Sequence, residues 1–457
     1  MTQPIAAEIP SGHPGNLSEE QETTLKQMWA AFFALDGKSE PPKSSTGVAV
    51  DLTEANKYVK ECGGFEKFHN TCWRSPYSGH PDSTMLRFLR ARKWDVSAAL
   101  GMLACAAAWR IELDVDKIVE QGEELLNKEL PGFDLQMKSG KAYLHGADAK
   151  GRPVFYIHVK IHNPSQQTFE ALRAFTIYCM ETGRQFVAPP TDQVCLVFDL
   201  TGFGLRNMDW AFVKFLVKAF EAYYPETLGM LAIHKAPWVF SSIWTAIRPL
   251  LDPVVASKII FTKNEAQLME VINADQLPKG MGGSEDWEWE YTDCVPGENA
   301  RVNDADAHAE HIAKRALLCG RFEDSTRLWM NTPASDEKST LAREQAALNY
   351  RIASIEADPF IRPRTVYHRH GNLLEDGTVH WKYRSSAGDQ RFGVPVEKLR
   401  ERAGPGNIDA SPETTDAPQS DVREKVEHSS NGSSYELEEK MAAMDMKGNG
   451  IAVQAAA

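Results

Sequence analysis

The spacing of apolar positions predicts helices in the first part of the chain. The pattern starts after residue 16, and a polar stretch over 36–46 and a Gly- and Pro-rich stretch over 62–81 interrupt it, which predicts loops there. The apolar side chains of the first stretch fall on one helical face: Leu25, Met28, Trp29, Phe32 and Phe33. From residue 82 the pattern predicts two more helices, with Asp82 or Ser83 capping the first and Asp95 the second.

Residues 141–262 alternate between strand-like and helix-like patterns. Five short runs favour strands, namely 141–146, 153–159, 194–200, 231–234 and 258–262. Helical periods lie between them over 168–185 and 212–223. Strands that alternate with helices predict an α/β domain with a mostly parallel sheet.

The pattern changes again towards the end of the chain. A charged segment over 306–357 has helical composition, and the stretch that follows it is irregular or β-like. Beyond residue 404 the chain is acidic and poor in apolar residues, which predicts disorder.

Composition limits the kinds of partner and of membrane contact that the protein is expected to have. The net charge is −13, so nucleic acid, which binds basic surfaces, is not expected as a partner. Seven cysteines without paired spacing indicate reduced thiols in a cytoplasmic protein. No basic-then-apolar leader and no run of about 18 apolar residues occurs. Any membrane contact is therefore expected to be peripheral.

Motifs for catalysis and for metal binding are missing from the sequence. No serine-nucleophile elbow, phosphate loop or H-E-x-x-H motif occurs. Residues 202–207 resemble a dinucleotide loop, but Asn207 stands where the third glycine belongs. No further ligand accompanies the histidine pairs 158/162 and 368/370 at metal-site spacing. We therefore expect a protein that is not an enzyme and holds neither a cofactor nor a metal.

Two local features favour a binding function over simple packing. The basic cluster of Arg87, Arg90, Arg92 and Lys93 ends a predicted helix, where it either complements the helix dipole or binds a phosphate. The segment 237–253 carries an apolar stripe between prolines, which is typical of either a core helix or a lid that opens onto a bilayer. The lid interpretation assigns membrane contact to Trp238, Phe240, Trp244 and Ile247.

Glycines flank the predicted lid segment. Gly229 precedes it and Gly283 follows it. They are either turn glycines or hinges that allow the lid to move. We adopt the hinge interpretation as a prediction.

Several ordered motifs resemble the CRAL-TRIO lipid-binding family. The sequences TMLRFLRARKWDVSAAL, GRPVFY, AYYPETLGMLAIHKAPWVFSSIWTAIRPLLDPVVASKIIF and LPKGMGG look like its signatures, in particular those of its fungal secretory-pathway phosphatidylinositol transfer branch. The resemblance covers about 14–283. It implies a helical N-terminal lobe and an α/β lobe whose sheet floors an apolar cavity gated by a mobile helix.

The resemblance also implies a headgroup site. By motif, Arg92, Glu226 and Lys258 correspond to residues that help to hold the inositol phosphate group in the family. The chemistry agrees, because an anion requires Arg and Lys and inositol hydroxyls require an acceptor such as a carboxylate.

Three pocket positions depart from the family pattern. Val255 stands where inositol-binding relatives often carry Thr, and Val194 and Leu196 stand where choline-lipid exchangers carry hydroxyl side chains. Weak handling of phosphatidylcholine is expected, and a sterol becomes a plausible second ligand.

The resulting hypothesis is a carrier that binds one phosphatidylinositol and exchanges it between membranes as a cytoplasmic protein, peripheral on endomembranes. The alternative is a lipid or sterol sensor that presents cargo to a partner, such as a lipid kinase, through the C-terminal extension. The predicted segments are 1–81, N-terminal helices with loops; 82–128, CRAL-TRIO N-terminal helices; 129–290, lipid-binding domain; 291–403, C-terminal extension; and 404–457, disordered acidic tail.

Overall fold

Helices make up the N-terminal part of the computed structural model, which describes residues 9–43, 47–74, 79–189, 191–333 and 336–404. They are α1 Glu19–Ala34, α2 Thr53–Glu61, α3 Phe65–Arg74, α4 Asp82–Ala91, α5 Val96–Glu112, α6 Val115–Glu129 and α7 Phe133–Lys138. Asp95 caps α5 as predicted, since its side chain accepts from the Ala98 backbone N–H.

Two local predictions in this part are wrong. Much of the stretch 62–81, predicted as a loop, is α3, because Phe68, Cys72 and Trp73 form a buried helical face behind the punctuating glycines; residues 75–78 of that stretch lie outside the described part. Asp82 does not cap α4. Pro81 occupies that position, and the Asp82 carboxylate is instead buried against Arg343.

A five-stranded sheet forms the centre of the α/β lobe. Its strands are β1 Ala142–Ala147, β2 Pro153–His158, β3 Val194–Asp199, β4 Leu228–His234 and β5 Ile259–Thr262. They lie in sequence order, with β1 antiparallel to β2 and the remaining neighbours parallel. The predicted fold class, mostly parallel α/β behind a helical lobe, is confirmed.

Helices between and after the strands cover the sheet. They are α8 Phe169–Gly183, α9 Trp210–Lys218, α10 Phe240–Ile247, α11 Pro253–Ser257 and α12 Glu265–Met269. A π-helical turn, Ala219–Tyr223, continues α9. One sheet face packs on α12 and the residues that follow it, through Leu268, Ile272 and Leu277.

The C-terminal extension is helical with a small hairpin. It contains α13 Ala305–Met330, α14 Glu337–Ile361, α15 Val366–Arg369, β6 Val379–Lys382, β7 Asp389–Phe392 and α16 Val396–Ala403. Phe322, Trp329 and Tyr350 of this extension belong to the same buried cluster as Trp29 and Phe68. The extension therefore completes the core of the N-terminal helices. The predicted disorder beyond residue 404 falls on residues outside the described part.

Within the described residues, no single helix is long and apolar enough to cross a membrane. The bent pair Val96–Glu112 and Val115–Glu129, at 42°, passes the same length and composition test only when taken together.

Candidate functional site

An apolar cavity of about 420 Å³ lies on the face of the sheet opposite α12. The period of two along β3 explains its wall: Val194, Leu196 and Phe198 line the cavity, whereas Cys195 and Val197 point into the core behind the sheet. Helices α8 and α9 close other sides through Leu172, Phe175, Phe212 and Leu216. The volume falls in the range of ligand pockets, roughly 300–1,000 Å³.

All three predicted pocket residues line this cavity. Val194 and Leu196 do so from β3, and Val255 does so from α11. None of the three offers a side-chain hydrogen-bond donor or acceptor. This part of the wall therefore suits hydrocarbon rather than a phosphodiester.

The predicted lid segment forms α10, and its inner face lines the cavity. Phe240 is buried against Phe203, with ring centroids 6.0 Å apart. Trp244 and Ile247 also line the cavity, and the Trp244 ring meets Phe261 edge-on at 5.1 Å. In this arrangement α10 packs as a wall of the cavity.

Trp238 differs from the other predicted lid residues. Its side chain is 88% exposed, just before α10 begins. A tryptophan this exposed beside an apolar helix is typical of a contact with a lipid-water boundary.

Glu226 and Lys258 meet near the cavity rim. Lys258 Nζ lies 3.5 Å from Glu226 Oε2, and both side chains are 20% exposed. Their chain neighbours Pro225 and Ile259 line the cavity. Glu226 adopts φ of 56°, a left-handed conformation that is uncommon for a residue with a side chain.

Arg92 does not join that pair. It lies at the exposed C-cap of α4, where its guanidinium donates to the Ala91 carbonyl oxygen at 3.3 Å. The predicted set of three residues is therefore a pair, with Arg92 on the surface.

Other residues of the basic cluster connect the two lobes. Arg90 Nη2 donates to Asp192 Oδ2 at 2.6 Å, and Arg87 Nη1 donates to the Pro225 carbonyl oxygen at 3.4 Å. Burial would raise the pKa of Asp192, but the hydrogen bond from His13 and the two arginine charges lower it to about 2. Arg87 thus contacts the residue before Glu226, whereas Arg90 holds Asp192 in the loop before β3.

Close packing accounts for both predicted hinge glycines. Gly229 lies inside β4, where a Cβ atom would come within 2.7 Å of the Arg152 guanidinium. At Gly283 a Cβ atom would lie 2.0 Å from the Leu277 carbonyl oxygen. The hinge function of these residues stays a prediction, since the contacts explain the glycines without it.

Two family models match the chain, one over the N-terminal helices and one over the α/β lobe that follows them. The CRAL/TRIO N-terminal domain matches residues 21–104, and the CRAL/TRIO domain matches residues 137–283. The chain belongs to the CRAL-TRIO family. Domains of this family bind lipids; the prediction of a protein without enzymatic activity agrees with that assignment.

Several fungal CRAL-TRIO proteins are similar in sequence to more than half of this chain. Phosphatidylinositol transfer protein CSR1 of Eremothecium gossypii is 35% identical over 74% of this chain and 78% of its own length. CRAL-TRIO domain-containing protein C3H8.02 of Schizosaccharomyces pombe is 36% identical over 81% of this chain and 94% of its own. SEC14 cytosolic factor of Eremothecium gossypii is 28% identical over 60% of this chain and 80% of its own.

Proposed function

We propose that this CRAL-TRIO protein binds one phosphatidylinositol molecule in its cavity and transfers it between membranes. The observation that carries the proposal is an apolar cavity with a cation and a carboxylate at its rim. The name of a relative, phosphatidylinositol transfer protein, supports the choice of headgroup.

The pair at the rim suits an inositol phosphate. With the headgroup bound, the Lys258 ammonium would donate to the phosphate, and the Glu226 carboxylate would accept from inositol hydroxyls. Without cargo the two side chains compensate each other at 3.5 Å. Arg92 enters this proposal only by reorienting its exposed side chain, because its described contact is local.

The acyl chains would occupy the apolar interior. Each methylene removed from water contributes about 0.8 kcal/mol, so a cargo with two chains is held strongly in solution. Release takes place at a bilayer, whose hydrocarbon offers the chains an equally apolar solvent. No covalent step is required.

Membrane contact is assigned to the α10 region. Trp238 is already exposed, while Trp244 and Ile247 would become available when α10 moves away from the cavity. The protein would work in the cytoplasm and bind endomembranes peripherally. The name of a relative, SEC14 cytosolic factor, supports the cytoplasmic setting.

The alternative of a sensor that presents cargo to a protein partner depends on the C-terminal extension. The large aromatic side chains of α13 and α14 pack into the core with the N-terminal helices. A structural function therefore explains the extension without a partner, and transfer is the favoured function. A sterol as second cargo would use the hydrocarbon wall at Val194 and Leu196.

The test is transfer of labelled phosphatidylinositol between vesicles by the purified protein alone. Lys258→Met and Glu226→Gln should abolish transfer while the melting temperature stays near that of the wild type. Lys263→Met, at an exposed lysine after β5, is the matched control and should transfer normally. Equal transfer by wild type and both rim variants would overturn the proposed site.

A second measurement identifies the cargo. Native mass spectrometry of the purified protein should show one bound lipid of phosphatidylinositol mass, and Lys258→Met should lose it. A stoichiometric sterol would instead support the alternative.

A further inference from the structure

Lys141 is a buried cation that faces the cavity far from the rim pair. It is 7% exposed and lines the cavity just before β1. Its Nζ atom has no ion-pair partner among the residues that the structure describes. A buried ammonium group without an anion is unfavourable, and such groups are usually paired.

The neighbours of Lys141 leave part of its hydrogen-bonding capacity unused. Its Nζ atom lies 3.4 Å from His162 Nδ1, and His162 Nε2 lies 3.5 Å from Asp209 Oδ2. The Phe175 ring centroid is 5.7 Å from Nζ. An ammonium group has three N–H donors, and in the described part of the chain only the one directed at His162 has an acceptor.

The nearby acids are engaged elsewhere. Asp209 caps α9 by accepting from the Phe212 backbone N–H at 2.9 Å. Asp199 Oδ2 lies 3.0 Å from His158 Nδ1, and Asp199 Oδ1 accepts from the Thr201 backbone N–H at 2.9 Å. Burial lowers the pKa of Lys141 to about 8, so the side chain is still mostly charged at neutral pH.

Lys141 and Lys258 lie at opposite corners of the sheet. Lys141 precedes β1 at one edge of the sheet, and Lys258 precedes β5 at the other. Four strand spacings of about 4.8 Å separate these edges by roughly 19 Å. Lys141 is level with the last residue of β2, whose backbone N–H donates to the Lys141 carbonyl oxygen at 2.7 Å, whereas Lys258 stands before the first residue of β5. One headgroup cannot occupy both corners.

We propose that Lys141 binds the carboxylate of a long-chain fatty acid, a cargo distinct from phosphatidylinositol. A carboxylate is small, carries one negative charge and can accept hydrogen bonds from the two free N–H groups of Lys141. Ala142, Ile157 and Phe175 line the surrounding wall and offer hydrocarbon contact to the chain. The nearby donors on His158 and Asn207 are already bonded to Asp199 and to backbone carbonyl oxygens, which leaves few donors for a phosphate diester or a sugar. The fatty acid therefore lies with its carboxylate at this corner and its chain in the cavity.

The first test compares two ligands on the wild-type protein. Palmitate should bind at least about tenfold more tightly than methyl palmitate, because the ester lacks the charge that a charge-assisted hydrogen bond requires. Isothermal titration below the critical micelle concentration measures both affinities. Equal affinities would overturn the proposal whether or not any variant folds.

The second test uses variants. Lys141→Met should lose the preference for the acid and keep phosphatidylinositol transfer, and Lys160→Met, at an exposed lysine after β2, should keep both. Lys258→Met should lose transfer but keep the fatty-acid preference, so the two sites fail separately. A Lys141→Met protein with a normal melting temperature and an unchanged preference would overturn the proposal.

Discussion

The Arg343 side chain reaches the Asp82 carboxylate across 261 positions of sequence, with Nη1 at 2.8 Å from Oδ2. Both residues are buried, and the Trp29 indole N–H donates to Asp82 Oδ1 at 2.8 Å. The Arg343 guanidinium also lies 4.1 Å from the centroid of the Trp329 ring. This ion pair joins the C-terminal extension to the first residue of α4.

Replacing Arg343 by Met should destabilise the protein by about 3–5 kcal/mol, since it leaves the Asp82 carboxylate buried without its cation. Arg301→Ala is the control, because its pair with Glu375 is more than half exposed and is worth less than about 1 kcal/mol. Urea unfolding measures both. A loss at Arg343 no larger than that at Arg301 would contradict the prediction.

The same pair gives stability a pH dependence. Burial alone would raise the pKa of Asp82, but Arg343 and His80 hold it below its usual value. The stabilisation is therefore fully present above the unfolded-state pKa, about 3.9, and is lost as pH falls through the folded pKa. Wild-type unfolding free energy should fall below about pH 4 more steeply than that of Arg343→Met. Parallel curves would show that Asp82 is not the group responsible.

Two truncations should show that the C-terminal extension is needed for folding and that the residues beyond 404 are not. A chain that stops at residue 404 is expected to fold and transfer lipid as the full chain does, since an acidic segment poor in apolar residues contributes no core. A chain that stops at 290 loses Phe322, Trp329 and Tyr350 from the shared core and should aggregate. A soluble, cooperatively melting 1–290 fragment would show that the core does not need the extension.

The two tryptophans near α10 should behave differently on substitution. Trp238→Ala removes an exposed side chain, so it should reduce vesicle co-sedimentation without lowering the melting temperature. Trp244→Asp places a charge on the cavity wall, next to Phe261, and should weaken vesicle association and slow exchange. A strongly lowered melting temperature for Trp244→Asp would identify α10 as a fixed core helix rather than a gate.

Phosphatidylcholine transfer by the wild type should be weak or absent, because Val194 and Leu196 cannot hydrogen-bond a phosphodiester on the cavity wall. Val194→Ser with Leu196→Thr should raise it, and phosphatidylinositol transfer serves as the internal control. Vesicle assays with labelled phosphatidylcholine measure the transfer rate of both proteins. Robust wild-type exchange of that lipid would show that donors other than these two side chains serve it.

Much of the α/β lobe follows from local pattern. The alternation of Val194, Leu196 and Phe198 with Cys195 and Val197 places one set on the cavity and the other in the core, and a period of two makes that predictable from the sequence. The strand positions and the helix cap at Asp95 are predictable for the same reason, because they depend on residues that are close together in the sequence.

Features that depend on distant residues are not predictable in this way. Asp82 resembles a helix cap by position, yet its partner Arg343 lies in the extension. Arg92 and Arg90 are neighbours in one basic cluster, and only the packing of the lobes decides that Arg90 meets Asp192 while Arg92 faces solvent. Lys141 precedes an ordinary strand, and the residues that its buried side chain contacts, His162 and Phe175, lie later in the chain.

The shared core also affects the order in which parts of the chain can fold during synthesis. Trp29 and Phe68 leave the ribosome long before Phe322 and Tyr350, which belong to the same buried cluster. Until α13 and α14 have been made, the nascent N-terminal helices present an incomplete apolar surface, and such surfaces are prone to aggregation. The central sheet, whose strands pair in sequence order, is complete earlier. A chaperone that binds the growing chain would therefore have its greatest effect on the first helices rather than on the lipid cavity.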